Sequence, residues 1–334
     1  MTGVGQRGRI FTRGRVAAVA MCLGVLVLFH RSGALELSKP VWTIGICGGS
    51  SPFALDCPAD KNPVLTASDV TDAHAAFVAD PFMVRRGDQY FMFFEVMDAT
   101  TGKGSIGLAT SATGAAWTYL RTVLAEPFTL SYPHVFEWDG QYYMLPETYQ
   151  ANAVRLYRAT AFPDEWSFVA NLVTGRPLND PSIVRVGERW WLFAGEYDDT
   201  LRLYHADTLT GPWAEHPRSP IISGDPTRAR PGGRLLQFEG RLFRMAQRDR
   251  PNYGNQVRVF EVALLSTSDY EERELPESPL LRPSGRGWNK AGMHHVDHHR
   301  TDEGRWLACV DGYRWVRTVR LRWPLRPARQ PAEE

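Results

Sequence analysis

One pattern returns five times in this chain, and it constrains the fold more than any other feature of the sequence. Each copy has a short apolar strand, a turn that contains glycine or an acidic residue, and an apolar or aromatic strand that ends in a polar side chain. Four copies begin at prolines that are 52, 48 and 50 residues apart, namely Pro81, Pro133, Pro181 and Pro231. That spacing is typical of a four-stranded propeller blade. The sequence therefore predicts an all-β fold, a five-bladed β-propeller over residues 40–320, with blades that begin near residues 80, 133, 180, 230 and 293.

The strands within a blade can also be predicted. Asp-Gly and Glu-Gly turns between aromatic runs favour hairpins, and third strands follow at residues 105–110, 154–159 and 201–206. Closing the ring requires one strand from elsewhere in the chain. The N-terminal run Val41–Ile46 and the C-terminal run Trp315–Trp323 are equal candidates for that strand.

Polar side chains recur at one end of the predicted blades. The first two strands of a blade are antiparallel, so the start of one and the end of the next meet at the same face. The predicted pairs are Asp80 with Glu95, His134 with Glu147, Asp180 with Glu196, Arg230 with Gln247, and His294 and His295 with Asp311. Each residue alone has an ordinary structural explanation, since Asp before Pro caps turns. Their coincidence in five blades favours a ligand-binding or active site, because clustered carboxylates repel unless cations or a function offset the repulsion.

The residue types at this opening include the carboxyl groups that cleave glycosidic bonds. That reaction uses two carboxyl groups, one on each side of the bond. Asp80 and Asp180 come from blades one and three, so Asp80 is the candidate base, and Asp180 would orient substrate and tune pKa values. Glu147, Glu196 or a protonated His294 would donate the proton. The expected substrate-binding residues are Glu95, His134, Arg230, Gln247, His295 and Asp311.

Charge is unevenly spread along the chain. Residues 1–34 contain five arginines and no acidic residue, while the whole chain has a formal charge of +1, so the remainder is mildly acidic and gives no reason to expect nucleic acid. The apolar run Val16–Phe29 is short for a spanning helix and precedes a small-residue segment. We expect residues 1–34 to be a signal peptide, or a signal anchor if uncleaved, and residues 321–334 to be a basic, proline-rich tail. The protein would then be secreted, periplasmic or membrane-anchored, with membrane contact only through this segment.

Cysteine and histidine usage gives weaker signals. Cys47 and Cys57 flank a turn-rich loop that a disulfide could close, and two free thiols are the alternative. No CxxC pattern is present, so we expect no structural zinc site. The histidines near residue 295 alternate between strand faces, so only some could share an ion. We therefore expect no cofactor, with a divalent ion in the channel as the alternative.

Two resemblances follow from these motifs. The Asp-Pro starts of blades one and three resemble the five-bladed propeller glycosidases that act on arabinans, xylosides and fructans (glycoside hydrolase families 43, 32 and 117). Four further motifs are more specific: Phe94-Glu95-Val96-Met97, Leu145-Pro146-Glu147-Thr148, Asn255-Gln256-Val257-Arg258 and Gly292-Met293-His294-His295-Val296-Asp297. Through them the chain, over about residues 40–315, more closely resembles a bacterial family similar to the N-terminal propeller of plant glucosamine inositolphosphorylceramide transferases.

The resemblance implies a carbohydrate-active protein, but one position departs from it. Blade four of the arabinan- and fructan-cleaving families carries the general acid, whereas this chain has Arg230-Pro231 there. In family 117 a histidine is the proposed acid, a part that His294 or His295 could take. The leading expectation is a glycosidase-like propeller acting on a glycan or glycoconjugate. The alternatives are a non-catalytic glycan-recognition module and an accessory domain of a separately encoded glycan-building enzyme.

Overall fold

The computed structural model describes residues 35–320, and almost all of its regular structure is β-strand. Two single 3₁₀ turns, Ala67–Asp69 and Tyr149–Ala151, are the helical elements of this range. The twenty strands of the described residues are β1 (Leu35–Ser51), β2 (Ala54–Asp56), β3 (Ala75–Arg86), β4 (Gln89–Asp98), β5 (Gly104–Ser111), β6 (Thr118–Leu124), β7 (Ser131–Trp138), β8 (Gln141–Glu147), β9 (Ala153–Ala161), β10 (Glu165–Thr174), β11 (Asn179–Val186), β12 (Arg189–Glu196), β13 (Thr200–Ala206), β14 (Ala214–Glu215), β15 (Leu236–Phe238), β16 (Arg241–Arg248), β17 (Gln256–Leu265), β18 (Tyr270–Glu274), β19 (Val296–Arg300) and β20 (Trp306–Arg320).

These strands form five four-stranded antiparallel sheets, which are the five blades. Blade 1 is β3–β6, blade 2 is β7–β10, blade 3 is β11–β14 and blade 4 is β15–β18, each paired in chain order. Blade 5 has the order β19-β20-β1-β2. The predicted five-bladed β-propeller is therefore confirmed.

Blade 5 joins the two ends of the propeller. β1 lies between β20 and β2, so the N-terminal strand supplies the third position of a blade whose first two strands are C-terminal. Of the two closure candidates, Val41–Ile46 is the one used. The C-terminal run up to Arg320 continues the second strand instead, and residues 321–323 lie outside the described residues. Cys47 and Cys57 form a disulfide within this N-terminal hairpin.

The core lies between adjacent blades. Five buried apolar clusters fill the five interfaces, for example Leu145 and Leu156 of blade 2 against Trp190 and Leu192 of blade 3. Burying such side chains contributes about 1.5–3 kcal/mol each relative to leaving them exposed. Each blade is thus held mainly by its two neighbours, which fixes the inner strands around a common channel.

The repeated proline produces the same irregularity in three blades. The ladder between the first two strands shifts at Ala79/Phe82, Ser131/His134 and Asn179/Ser182, so each first strand has a bulge. Proline has no N–H for the ladder, which is why it is tolerated at bulges. The preceding residues Asp80, Tyr132 and Asp180 have φ values of 53°, 47° and 46°, in the left-handed region. The bulge therefore turns these three residues out of the regular alternation of the strand.

The structure divides into a unit of residues 41–314 and a second unit that groups the two chain ends. Of the second unit, residues 35–40 and 315–320 are described, as the outer stretches of β1 and β20. Among the described residues, no helix is long and apolar enough to cross a membrane. The predicted export segment at 1–34 and the tail at 321–334 lie outside the described residues.

Candidate functional site

A cavity of about 270 Å³ opens at the end of the channel where the proline bulges lie. Every blade contributes to its wall. The lining residues are Trp42, Phe77, Ala79, Asp80, Glu95, Met97, Gly102, Thr129, Ser131, Glu147, Tyr149, Gln150, Tyr197, Arg230, Tyr253 and His294. Five of the sequence-predicted residues are therefore brought together here, and three more, Asp180, Gln247 and Asp311, contact them from behind. We call the seven charged or acidic members of this group the funnel cluster: Asp80, Glu95, Glu147, Asp180, Arg230, His294 and Asp311.

Asp80 is held at the rim of blade 1 by blade 5. Its backbone N–H donates to Asp311 Oδ2 at 3.0 Å, and His294 Nδ1 lies 2.7 Å from Asp311 Oδ1. The other ring nitrogen, His294 Nε2, lies 3.6 Å from Asp80 Oδ1. Asp80 Oδ1 is buried and has no hydrogen-bond partner. The bulge thus presents one buried carboxylate oxygen that accepts no hydrogen bond and lies within ion-pair distance of His294.

The environment shifts Asp80 and His294 toward their protonated forms. Burial, with the nearby carboxylates Asp311 and Asp180, raises the pKa of Asp80 to about 7. Burial opposes protonation of His294, but its contact with Asp311 outweighs burial and raises the pKa of His294 to about 9. At neutral pH, His294 is therefore a cation, and Asp80 is close to half protonated.

Asp180 is anchored on the opposite side. Its backbone N–H donates to Glu147 Oε2 at 3.0 Å, the counterpart of the Asp80–Asp311 contact. Its Oδ2 accepts from Arg230 Nε and from Gln247 Nε2, the latter at 2.9 Å. The residue that stands where blade four would carry an acid therefore neutralises Asp180.

Glu95 and Glu147 are buried carboxyl groups with weak compensation. Glu147 lies 3.9 Å from Arg230 and accepts the Asp180 N–H at 3.0 Å. The backbone of Glu95 pairs with Ala79 and Ile106, while its buried side chain forms no ion pair with another residue of the described range. Burial raises the pKa of both carboxyls well above the usual range, and the surrounding carboxylates raise it further. Both carboxyls line the cavity, where burial favours their protonated forms.

Aromatic rings complete the wall, and the sequence did not single them out. Trp42 of β1 stacks on His294, with ring centroids 4.0 Å apart, and lies edge-on to Tyr253. The Arg230 guanidinium lies over both the Tyr253 and Tyr197 rings, at 5.0 and 5.8 Å from their centroids. Tyr197 and Tyr253 are about half exposed. These residues precede or follow the repeated strands, so the repeat gave no signal for them.

Three predicted residues lie elsewhere. The bulge places Ser131, not His134, opposite Glu147, so His134 beside Glu147 was wrong. In blade 3, Gly195 rather than Glu196 faces the strand start, and Glu196 is paired with Arg176 and Arg202 away from the cavity wall. His295 is fully buried with neither ring nitrogen hydrogen-bonded, and burial lowers its pKa to about 4. It packs edge-on against Phe82 at 4.5 Å.

A second charged group lies further along the channel, and we call it the inner cluster: His134, Arg234, Asp297 and His299. Arg234 Nε donates to Asp297 Oδ1 at 2.6 Å, and Arg234 also donates to the Val135 carbonyl. Asp297 Oδ2 accepts from His299 Nε2 at 2.9 Å and from the Met83 N–H at 2.8 Å. His134 lies 3.3 Å from Arg234. This cluster joins blades 1, 2, 4 and 5 at their first strands.

Ligand atoms for a metal ion come together at one place among residues 35–320. Asp80, His294 and Asp311 offer atoms within 4.8 Å of one another. A protonated imidazole is no metal ligand, and the raised pKa of His294 opposes metal binding near neutral pH. The geometry favours a hydrogen-bonded triad at this position.

The comparisons with known proteins are as follows. Residues 36–313 match the family model described as "Glucosamine inositolphosphorylceramide transferase 1, N-terminal". The chain is 36% identical over 310 residues to glucosamine inositolphosphorylceramide transferase 1 of Oryza sativa subsp. japonica, covering 84% of this chain and 41% of that protein. It is 33% identical over 307 residues to the Arabidopsis thaliana protein of the same name, covering 84% and 40%. The chain thus spans about two fifths of the length of these curated relatives.

Solved structures of glycosidases share the fold at low sequence identity. An exo-β-1,3-galactanase from Clostridium thermocellum superimposes with a TM-score of 0.55 at 13% identity, covering 75% of this chain and 60% of that one. A β-xylosidase/α-arabinofuranosidase from a compost microbial metagenome gives 0.51 at 13% identity, covering 65% and 78%. At this identity the likeness establishes the propeller fold alone.

Proposed function

The chain belongs to the family of the N-terminal domain of glucosamine inositolphosphorylceramide transferase 1, and we propose that its cavity binds a sugar residue of a glycoconjugate without cleaving it. The observation that carries this proposal is the 3.6 Å distance between Asp80 and His294. Hydrolysis needs about 5–10 Å between the two catalytic groups, since the glycosidic bond lies between them. If His294 were the acid, a base and an acid in near contact would leave no room for that bond.

The size and lining of the cavity support sugar binding. Its volume of about 270 Å³ lies near the lower end of small-molecule sites, about 300 Å³, which suits a single sugar ring. Carboxyl, guanidinium and phenol groups can hydrogen-bond hydroxyls, while the Trp42 and Tyr253 rings offer flat apolar surface. This combination of polar groups and rings is the usual chemistry of carbohydrate recognition.

The state of Asp180 supports binding over cleavage. In the sequence-based hypothesis, Asp180 would orient the substrate and tune pKa values opposite Asp80. Here it is committed to Arg230 and Gln247, and the Glu147 carboxyl accepts its backbone N–H. These contacts stabilise the wall of a binding site. They also account for the presence of Arg230 where glycosidases of this fold class carry an acid.

We place this function outside the cytoplasm. The Cys47–Cys57 disulfide is typical of oxidising compartments, and the arginine-rich apolar segment within residues 1–34 is typical of export. The relatives are named for a transferase that acts on an inositolphosphorylceramide. A propeller that holds a sugar residue of such a glycoconjugate would support a separate transfer reaction.

A glycan-binding panel tests the proposal. Wild type, Tyr253→Ala and Phe168→Ala are applied to an array of free glycans and glycolipid head groups. We expect wild type and Phe168→Ala to bind the same glycans, because Phe168 is an exposed ring on β10 remote from the cavity wall. Tyr253→Ala should bind at least about tenfold more weakly. Folded protein that binds no glycan, or equal binding by Tyr253→Ala, would contradict the proposal.

Hydrolysis is the second candidate, and one observation favours it. Asp80 Oδ1 is buried and accepts no hydrogen bond, as a poised base would be, and Glu95 and Glu147, whose pKa values are raised by burial, lie on the same wall. Glycans that bind on the array are incubated with wild type, Asp80→Asn and the exposed-site control Asp88→Asn, and products are analysed by mass spectrometry. Cleavage that is lost only in Asp80→Asn would replace the binding proposal with this one. We expect no cleavage by any of the three proteins.

A further inference from the structure

Four cations without acidic partners lie around a second cavity, beside blade 5. They are Lys61, Arg286, Lys290 and Arg314, and we call them the basic surface. All four side chains are exposed, and none forms an ion pair or a hydrogen bond with another residue of the range 35–320. Charges of one sign repel each other, so their placement together favours a partner of the opposite charge.

Three parts of the chain bring these cations together. A cavity of about 580 Å³ lies where β20, the loop before β19 and the segment after β2 meet, and Arg314, Gly287 and Asn62 are among its lining residues. The other three cations lie within three residues of these lining positions along the chain. The basic surface is therefore a local feature of the fold, although its members are far apart in sequence.

The segments that carry the basic surface contain few acids. Residues 279–296 include three arginine or lysine residues and no acidic residue. Residues 59–69 include two acids, of which Asp69 is already hydrogen-bonded within the segment. Arginines of the other blades often have an acidic partner, as Arg189 has in Asp207 at 2.8 Å. The uncompensated positive charge is therefore concentrated here, on an otherwise mildly acidic propeller.

The chain connects this surface to the predicted export segment. Val41 lines the same cavity and is twelve residues from Phe29, where the predicted apolar run ends. Twelve residues span at most about 40 Å when they are fully extended. If that run stays in a bilayer as a signal anchor, covalent geometry holds the basic surface near the lipid head groups.

We propose that the basic surface binds an anionic lipid bilayer, as a membrane contact additional to the predicted N-terminal one. This inference does not depend on what the funnel cluster binds. Exposed arginine and lysine side chains are attracted by the surface charge of such a bilayer, whichever anionic lipid supplies the charge. The mildly acidic remainder of the propeller would be repelled, so the interaction also orients the protein.

The cavity among the cations is not prepared for one particular head group. The Asn62 amide nitrogen already donates to the carbonyl oxygens of Ile46 and Pro58, at 2.9 and 3.0 Å. The Thr66 hydroxyl donates to Asp69 at 2.8 Å. These polar side chains of the lining are committed to the fold. The basic surface therefore offers exposed charge rather than a shaped pocket, which favours a bilayer over a single soluble anion.

Vesicle flotation with the full chain tests the inference. The vesicles contain phosphatidylcholine alone, or phosphatidylcholine with about 30% of either phosphatidylglycerol or phosphatidylserine. At about 0.05 M salt, we expect the wild type to bind both anionic vesicles at least about tenfold more tightly than the neutral ones. The two anionic lipids should be equivalent at equal surface charge. The preference should disappear at about 0.5 M salt, because ions screen the attraction.

Two triple variants with the same change of charge localise the effect. The first combines Arg286→Gln, Lys290→Gln and Arg314→Gln. It should lose at least about tenfold of the preference for anionic vesicles, since each cation near such a surface contributes about fivefold. The control combines three exposed arginines outside the basic surface and should behave as wild type: Arg158→Gln, Arg218→Gln and Arg300→Gln. Both variants keep the arginines of residues 1–34, so any attraction by that segment is the same in each.

Four results would overturn the inference. They are the absence of any anionic preference in the wild type, equal losses in the two triple variants, no loss in the first variant, and a preference between the two anionic lipids at equal charge. The last would indicate recognition of one head group. Heparin is the probe for an acidic polysaccharide. If heparin binding depends on the basic surface and vesicles are not bound, the surface belongs to a polysaccharide instead of a bilayer.

Discussion

The two charged clusters of the channel contain the same residue types, but those residues are paired differently. Each has an arginine bonded to an aspartate and a histidine beside an aspartate. In the inner cluster, Asp297 receives Arg234, His299 and a backbone N–H, so its two oxygens are saturated. In the funnel cluster, Asp80 Oδ1 accepts no hydrogen bond and has the 3.6 Å contact with His294 Nε2 instead. The first arrangement is the more fully hydrogen-bonded of the two.

The difference is reflected in the directions of the pKa shifts. Burial would raise the pKa of Asp297, but Arg234 and His299 outweigh burial and lower it. The pKa of Asp80 is raised, because burial and neighbouring carboxylates act together. A buried charge in this fold is therefore stable when its partners are supplied by the protein. Where fewer partners are supplied, as at Asp80, burial favours the protonated form instead.

The largest expected effect comes from breaking the inner pair. Asp297→Asn leaves the Arg234 charge without its partner, which should lower the free energy of unfolding by about 3–5 kcal/mol, measured by denaturant titration. The matched change in the funnel cluster, Asp80→Asn, removes a carboxyl whose pKa is raised by burial. It should lower the free energy of unfolding by less than about 1 kcal/mol. Equal losses in the two variants would erase the distinction between the clusters.

The next effect concerns the hydroxyl of the buried Tyr132 side chain. The Tyr132 hydroxyl accepts the Gly233 N–H at 2.7 Å and contacts Ser182 at 2.8 Å. Tyr132→Phe leaves that N–H unsatisfied and should cost about 1–3 kcal/mol in unfolding free energy. Tyr149→Phe, at the cavity rim, is the control and should change stability by less than about 0.5 kcal/mol. An unchanged unfolding free energy in Tyr132→Phe would mean that this hydroxyl does not stabilise the fold.

Stability should have a maximum in its dependence on pH. The funnel cluster should lower stability above that maximum, and the inner cluster should lower it below. The raised pKa of Asp80, about 7, costs stability as pH rises from about 4 to 7, and the raised pKa of His294, about 9, gives stability that is lost as pH rises from about 6.5 through 9. The lowered pKa of His134 costs stability as pH falls below about 6.5, and that of Asp297 does so below about 4. We expect the melting temperature to fall by a few degrees on each side of a maximum at mildly acidic pH. A melting temperature that rises steadily up to pH 9 would contradict the charge assignment of the funnel.

The smallest effect is a gain. Glu95→Gln replaces a buried acid by a neutral group of the same shape, so at pH 8.5 it should raise the unfolding free energy by at most about 1 kcal/mol. At pH 5, nearer the ordinary pKa of a glutamate, the gain should be smaller, because burial raises the pKa of Glu95 and favours its protonated form. A loss of stability at pH 8.5 would show that the ionised carboxylate has a partner within the fold.

The fold could be predicted because its cause is repeated. A proline and a Gly-containing turn at fixed offsets produce the same bulge and hairpin in several blades, so the start of blade 1 at Asp80 and of blade 3 at Asp180 was located from spacing alone. The same bulge made two pairings wrong, since an extra residue in one strand moves His134 away from Glu147 and leaves Glu196 beyond the strand start.

The rest of the site depends on contacts between blades, for which the repeat carries no information. Arg234 follows a Gly-Gly pair, and Asp297 lies in a histidine-rich strand, so nothing in either segment indicates that the two meet. Trp42 reaches the cavity because β1 enters blade 5, and the sequence left that closure open.

The pairing of β1 with β20 in blade 5 affects the order in which parts of the propeller can fold during synthesis. The hairpin of β1 and β2 is the first part of the propeller to leave the ribosome, yet its sheet partner is completed some 250 residues later. Contacts so distant in sequence form late, because the loop must be closed before they are gained. The Cys47–Cys57 crosslink spans ten residues and needs no such wait. The disulfide can therefore fix the hairpin of β1 and β2 before β19 and β20 complete blade 5.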